Sequence, residues 1–299
     1  MTASATQQRA RADGTARVAA DLLGSSSMEM NAHRASEARE IAAVLPAGTA
    51  VYVNHLPRNT LDDTVDALIA ARNAGLEPVP HVAARRIPSR EKARSFFAAA
   101  VRDAGVRRIL LIGGDDPEQR GPYADAAAVL REGLIAENGI REIGFAAYPE
   151  GHPRIPRPVL ETALDEKLAL AAAQGLGSYV VTQFSFAPAR VVDYCGELAR
   201  SRPSVPVYVG IAGPTDLIAL MRYAQRCGVS SSLRALRAQG FGAARLVMHT
   251  DSGEQISAVA HYCLGRETCN VVGVHLFSFG GVAKTAAWIN RTITSLGDA

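Results

Sequence analysis

The chain has 299 residues, 48% of them apolar and 20% charged, with a formal net charge of only +3. That balance excludes a long disordered chain, and the scattered arginines form no block of like charge that would mark a nucleic-acid or membrane surface, so a small-molecule ligand is the default. No run of about 18 apolar residues marks a membrane span, and the four cysteines, Cys195, Cys227, Cys263 and Cys269, lack CxxC spacing and read as reduced thiols of a cytoplasmic protein.

The N-terminal stretch "MTASATQQRARADGTARVAADLL" has no apolar core long enough for a signal peptide. Residues 1–20 therefore read as a loose or helical arm, and residues 21–299 as one catalytic domain. Short apolar or β-branched runs then recur at 26–30, 49–54, 77–82, 107–113, 142–147, 178–183, 205–211 and 270–277. Amphipathic helical patterns separate them. In "TLDDTVDALIAARNAG" (60–75), Leu61, Val65, Leu68 and Ile69 share a face and Gly75 suits a stop; "SREKARSFFAAAVRDAG" (89–105) opens on a serine cap, and "PTDLIALMRYAQRCG" (214–228) opens on proline. Between the seventh and eighth runs, "SSSLRALRAQG" (230–240) reads as an inserted helix, followed by a second helical pattern over 243–265.

Eight alternating units in a chain of this length predict a (β/α)8 TIM barrel with an N-terminal arm and an extra helix in the seventh-to-eighth connection. An open doubly wound sheet is the rival, though no GxGxxG follows the first run. In a barrel the chemistry gathers where the strands stop. Here those positions are polar: Glu29, Asn54 with His55, His81, Asp115 with Asp116, Tyr148 with Glu150 and His152, and Thr182 with Gln183. A lone carboxylate at such a place is usually solvated or ion-paired, and "GGDDP" is also ordinary turn composition. So many polar groups together point to a binding site, because buried polar groups need partners. No spacing is a metal signature: His81 and His152 lack an assignable third ligand.

At these residues the sequence resembles the methylenetetrahydrofolate reductase family. The resemblance covers roughly 26–280 and rests on five motifs in order: "SMEM" (27–30), Pro80 with His81, Gly114 with Asp115, "AAYPEGHP" (146–153) and "TQFSF" (182–186). It implies a (β/α)8 barrel that converts 5,10-methylene-tetrahydrofolate to 5-methyl-tetrahydrofolate, with NADH or NADPH as donor and FAD as the family's cofactor. By the resemblance Glu29 is the catalytic acid, Asp115 hydrogen-bonds the pterin, and Gln183 contacts folate and nicotinamide. Phe186 supplies a flat apolar wall for a ring. The cofactor-binding positions are Asn54, His55, His81, Gly114, Tyr148 and His152. Three departures bear on the flavin. Gly113 stands where the family has a phosphate-holding arginine, Asn54 and His55 replace a threonine and a tyrosine, and "EKLALAAAQGLG" (166–177) offers Lys167 and then mostly alanine and leucine. Losing several donors, each contributing about 1.5–3 kcal/mol when charged, predicts reductase chemistry without tightly bound FAD. The alternatives are an FAD-dependent reductase whose contacts have moved to Arg85 or Arg86, and a non-catalytic folate-binding barrel.

Overall fold

The computed structural model describes residues 2–227, 229, 252–266 and 268–297. Eight strands, β1 (Ser27–Asn31), β2 (Ala50–Asn54), β3 (Glu77–Ala83), β4 (Arg108–Ile112), β5 (Glu142–Ala147), β6 (Gly177–Thr182), β7 (Val207–Ala212) and β8 (Val271–Phe277), close in chain order into a barrel. The ladders are parallel, with registers such as Tyr52 opposite Val79, His81 opposite Leu110 and Gly210 opposite His275. The predicted (β/α)8 barrel is therefore the fold, and the open sheet is excluded by closure. Each expected run ends within two residues of its strand, because strands buried on both faces read as continuous apolar segments.

The helices are α1 (Thr2–Gly24), α2 (Glu37–Ala42), α3 (Leu61–Asn73), α4 (Arg90–Ala104), α5 (Ala126–Arg131), α6 (Leu134–Glu137), α7 (Arg157–Ala173), α8 (Pro188–Ser201), α9 (Leu217–Arg226), α10 (Ser252–Cys263) and α11 (Val282–Gly297). Local chemistry sets their ends. Thr60 and Asp63 form a capping box on α3, the Ser89 hydroxyl accepts from Lys92 N on α4, and Gly105 ends α4 in the left-handed region at φ 60°. Arg72 of α3 then donates to the carbonyls of Ala104 and Gly105, satisfying acceptors that the end of α4 leaves over. The insertion expected at 230–240 lies outside the described residues, and the following helical pattern is described from Ser252 onward. No described helix is long and apolar enough to cross a membrane.

Packing divides the chain into two compact units. One comprises Met28–Ala147 and Gly151–Val181; the other comprises Met1–Ser27, Tyr148–Glu150 and Thr182–Ala299. In the first, the Tyr52 hydroxyl donates to the Tyr179 hydroxyl at 3.0 Å, which donates to the Ile109 carbonyl at 3.1 Å. Two phenols thus satisfy one another inside an apolar layer. At the outer end of the same layer, Arg108 grips both oxygens of Glu77 at 2.9 Å, the bidentate geometry that suits a guanidinium.

In the second unit, α1 packs on α10 and α11, burying Ala19, Leu22 and Leu23, so the N-terminal arm is a docked helix. The thiol expectation is corrected here. Cys263 and Cys269 are joined in a disulfide with their Cα atoms 5.4 Å apart, because the turn after α10 returns the chain within bridging reach. Cys195 is free and buried, and burial pushes its thiol up to about 12.

Tyr179 lies flat over Gly144, where an added Cβ would fall 2.5 Å from the ring. Replacing Gly144 by Ala therefore overpacks the barrel. We expect a loss of about 1–3 kcal/mol in urea unfolding, and an unchanged midpoint would mean that the ring is not confined.

Candidate functional site

In the unit containing most of β1–β5, the first polar strand end is Glu29. Alternation along β1 buries Met28 and Met30 and puts Glu29 on the other face. Its Oε1 lies 3.7 Å from His81 Nε2, with both side chains largely enclosed. The His81 ring in turn meets the edge of Tyr52, with centroids 5.8 Å apart. At that separation the carboxyl and the imidazole act on each other electrostatically.

A second cluster forms after β2, β3 and β4. His55 is 4% exposed. Its pKa is pushed down to about 4, first by burial and then by the Arg86 guanidinium, with His81 and Arg120 adding to the effect and Asp116 opposing it. Arg86 donates to the Asp116 carboxylate and to the His55 carbonyl. Arg120 approaches the other oxygen of Asp116 at 3.6 Å. Arg85 is used in a different way, donating to the backbone carbonyls of Asp116 at 2.9 Å, Pro117 at 2.8 Å and Ala124 at 3.4 Å.

The turn between these residues needs Gly114, whose φ of 95° is accessible to few side chains. Asn59 donates to the Asn54 carbonyl at 3.0 Å and so folds the loop after β2 onto the strand end. Within that loop Asn54 Oδ1, His55 Nδ1 and Asn59 Oδ1 are buried without a hydrogen-bond partner among the described residues, which marks places for water or a polar ligand group. Asp115, by contrast, is exposed. Its charge acts on His152, raising an imidazole pKa that burial and Arg154 otherwise lower.

The other unit carries the remaining candidates. The Ser185 hydroxyl donates to Glu150 Oε1 at 2.6 Å and accepts from Ala187 N at 2.9 Å, tying the loop after β6 to the loop after β5. Gln183 Oε1 accepts from Phe184 N at 3.1 Å, so its amide NH2 is the end directed elsewhere. Tyr148 is half-buried. Phe186 is enclosed in an apolar cluster with Phe184, Ala212 and Leu220, against which Phe277 and Phe279 pack. Tyr223 stacks on Phe279 at 4.1 Å. Ser27 and His275 are hydrogen-bonded at 2.8 Å, so β1 carries two polar groups engaged with histidines, Ser27 and Glu29.

Sequence reading missed the work of Arg86, Asp116, Ser185 and His275. For Arg86 the signal was weak, because "AARRIPSR" has the composition of a solvated loop. For Ser185 and Glu150 the partners are 35 residues apart.

A family model described as Methylenetetrahydrofolate reductase matches residues 27–233. Methylenetetrahydrofolate reductase 2 of Saccharomyces cerevisiae is 25% identical over 161 residues, which are 50% of this chain and 26% of that protein. The 5,10-methylenetetrahydrofolate reductase of Pectobacterium carotovorum is 28% identical over 159 residues, 52% of this chain and 50% of that protein. The aligned part is thus at most half the length of either curated relative. Among solved structures, an uncharacterized protein from Clostridium thermocellum that binds two copies of 5-methyl-5,6,7,8-tetrahydrofolic acid has a TM-score of 0.59 at 13% identity, covering 91% of this chain and 93% of its own. Yersinia pestis DHPS with a pterine-sulfa conjugate has a TM-score of 0.51 at 10% identity, covering 92% and 95%. At such identities these likenesses speak to the barrel.

The state of His55 is testable. Its folded value lies below the ordinary 6.5, so the unfolded chain takes up the proton first. The contribution is fully present above pH 6.5 and is lost as pH falls through 6.5 toward 4, at about 1 kcal/mol per pH unit. Urea unfolding at pH 7, 5.5 and 4.5 should show this slope reduced in His55→Gln; equal slopes would mean that His55 does not stay neutral.

Proposed function

We propose that this chain, which belongs to the methylenetetrahydrofolate reductase family, interconverts 5,10-methylene-tetrahydrofolate and 5-methyl-tetrahydrofolate with NADH or NADPH as the hydride donor. The observation that carries the reading is the enclosed Glu29–His81 pair, 3.7 Å apart, within the stretch that matches the family. The reading implies a cytoplasmic enzyme acting on a tetrahydrofolate derivative.

The chemistry sets the requirements. The methylene carbon bridges two folate nitrogens and is a poor hydride acceptor until one C–N bond opens. Glu29 as general acid delivers a proton to the leaving nitrogen, the bond breaks, and the remaining nitrogen and the carbon form an iminium. Hydride from the dihydronicotinamide adds to that carbon, giving the methyl group and the oxidised nucleotide, and the carboxylate regains its proton with His81 beside it. Such an acid must keep its proton near neutral pH, a requirement that a partly enclosed position suits better than open water. Asp115 is the acceptor for pterin N–H groups, and the Gln183 amide serves as a donor to folate or nicotinamide. The folate carried by the Clostridium thermocellum barrel makes 5-methyl-tetrahydrofolate the natural probe.

FAD, where the family holds it, relays the hydride. The residues that would grip its diphosphate do not fit that task in this chain. At Gly113 a Cβ would have no described atom within 4 Å, and the chain supplies no side chain there. Lys167 lies over the Phe145 ring at 5.1 Å, and burial lowers its pKa. Arg85 and Arg86 are engaged by carbonyls and by Asp116. The same engagements count against flavin contacts relocated to these arginines. We therefore favour direct hydride transfer between two bound ligands, in which proximity and exclusion of water are the protein's contribution.

Purified protein should oxidise NADH or NADPH in proportion to added methylene-tetrahydrofolate and show no stoichiometric flavin absorbance. Glu29→Gln, with its circular dichroism unchanged, should lower kcat by about 10²–10⁴-fold. Stoichiometric flavin bands would replace direct transfer with the FAD-dependent reading. Folate binding without turnover would leave a non-catalytic barrel.

A further inference from the structure

The run at the exit of β6, residues 182–186, is buried at every position but one. Thr182, Phe184, Ser185 and Phe186 are buried, and Gln183 between them is half-buried. Its neighbours are each fixed by a different partner. Gly210 N on β7 donates to the Thr182 hydroxyl at 2.8 Å, and a Cβ on Gly210 would fall 1.9 Å from the Thr182 carbonyl oxygen, so the two backbones are in close contact. The Phe184 ring makes edge-on contacts with Phe186, Phe277 and Phe279, at centroid distances of 5.7, 5.6 and 5.0 Å.

Ser185 is held from outside the run. A serine hydroxyl has one proton and two lone pairs. This one accepts from Ala187 N at 2.9 Å, and it lies 2.6 Å from Glu150 Oε1 against 3.4 Å from the Ala187 carbonyl oxygen, so the proton goes to the carboxylate. The bond ties the middle of the short connection between β6 and α8 to the loop after β5. Ser185 is 0% exposed, and solvent cannot stand in for Glu150.

Gln183 depends on this frame. Its Oε1 accepts from Phe184 N at 3.1 Å. With the oxygen so engaged, the direction of the NH2 follows from where the peptide between residues 183 and 184 is held, and that peptide is adjacent to Ser185.

We propose that Ser185, held by Glu150, is a positioning residue that fixes this peptide and through it presents the Gln183 amide as an ordered donor to the ligand. The ligand part rests on the folate reading above; the control of the amide by Ser185 and Glu150 does not. Neither of the two need touch substrate. A long side chain that is ordered beforehand loses less rotamer freedom on binding, which is what the pair contributes.

The Gln183 NH2 signals report on this arrangement by NMR of protein carrying nitrogen-labelled glutamine, assigned by their loss in Gln183→Glu. Ser185→Ala and Glu150→Ala should each move them toward the positions of a free glutamine side chain. Glu150→Gln, which keeps an oxygen able to accept from the hydroxyl, should leave them near wild type. Wild-type signals in both alanine variants, or equal disruption by Glu150→Gln and Glu150→Ala, would overturn the proposal. Should Ser185→Ala lose its circular dichroism, the Glu150 variants decide by themselves, since Glu150 is only half-buried.

Calorimetric titration with 5-methyl-tetrahydrofolate should show Gln183→Ala and Ser185→Ala each weakening binding about tenfold. The double variant should bind no more weakly than Gln183→Ala alone, because the two residues act as one unit. A loss of about a hundredfold in the double variant, the additive result, or undiminished binding in Gln183→Ala would overturn the ligand part. Absence of binding to wild type would remove the folate reading while the NH2 signals still decide the role of Ser185.

Discussion

A closed parallel barrel satisfies every strand from both sides, and that closure is the constraint from which the rest of this molecule follows. No edge remains for pairing, and the backbone polar groups of β1 to β8 are spoken for by the neighbouring strands. Polar side chains inside such a wall must find one another, as Tyr52, Tyr179 and the Ile109 carbonyl do. Ser27 with His275 and Arg108 with Glu77 do the same. The polar candidates gather in the last residues of the strands and in the loops that follow them.

At those points the chain handles buried charge in two ways. Arg86 and Asp116 neutralise each other and pin three loop exits, a use of an ion pair in which removal of one partner strands the other in low dielectric. His55 is held uncharged by its surroundings instead, and contributes only hydrogen-bonding atoms. Glu29 and His81 are different again. At 3.7 Å they are close enough to influence each other and too far for a tight hydrogen bond.

Much of this was legible in the amino-acid order. The eight strands stood out because apolar runs of that length, punctuated by capped amphipathic helices such as 60–75 and 89–105, have few other folds open to them. Glu29, His81 and Asp115 stood out because they interrupt or end such runs. What stayed hidden depends on partners distant in sequence. The Ser185–Glu150 bond cannot be inferred from either residue, Arg86 looks like any loop arginine until Asp116 is seen beside it, and the Cys263–Cys269 bridge depends on how tightly the turn after α10 closes. Asp116, read as turn composition, turned out to be an anchor for the same reason. Turn residues and buried ion-pair partners share an alphabet, and only the third dimension separates them.

Gly113 carries a consequence beyond ligand binding. No described atom would contact a Cβ there, and its φ imposes no preference for glycine. A side chain could therefore begin at position 113 without its first carbon meeting the wall of the barrel, so what stands there is set by something other than packing.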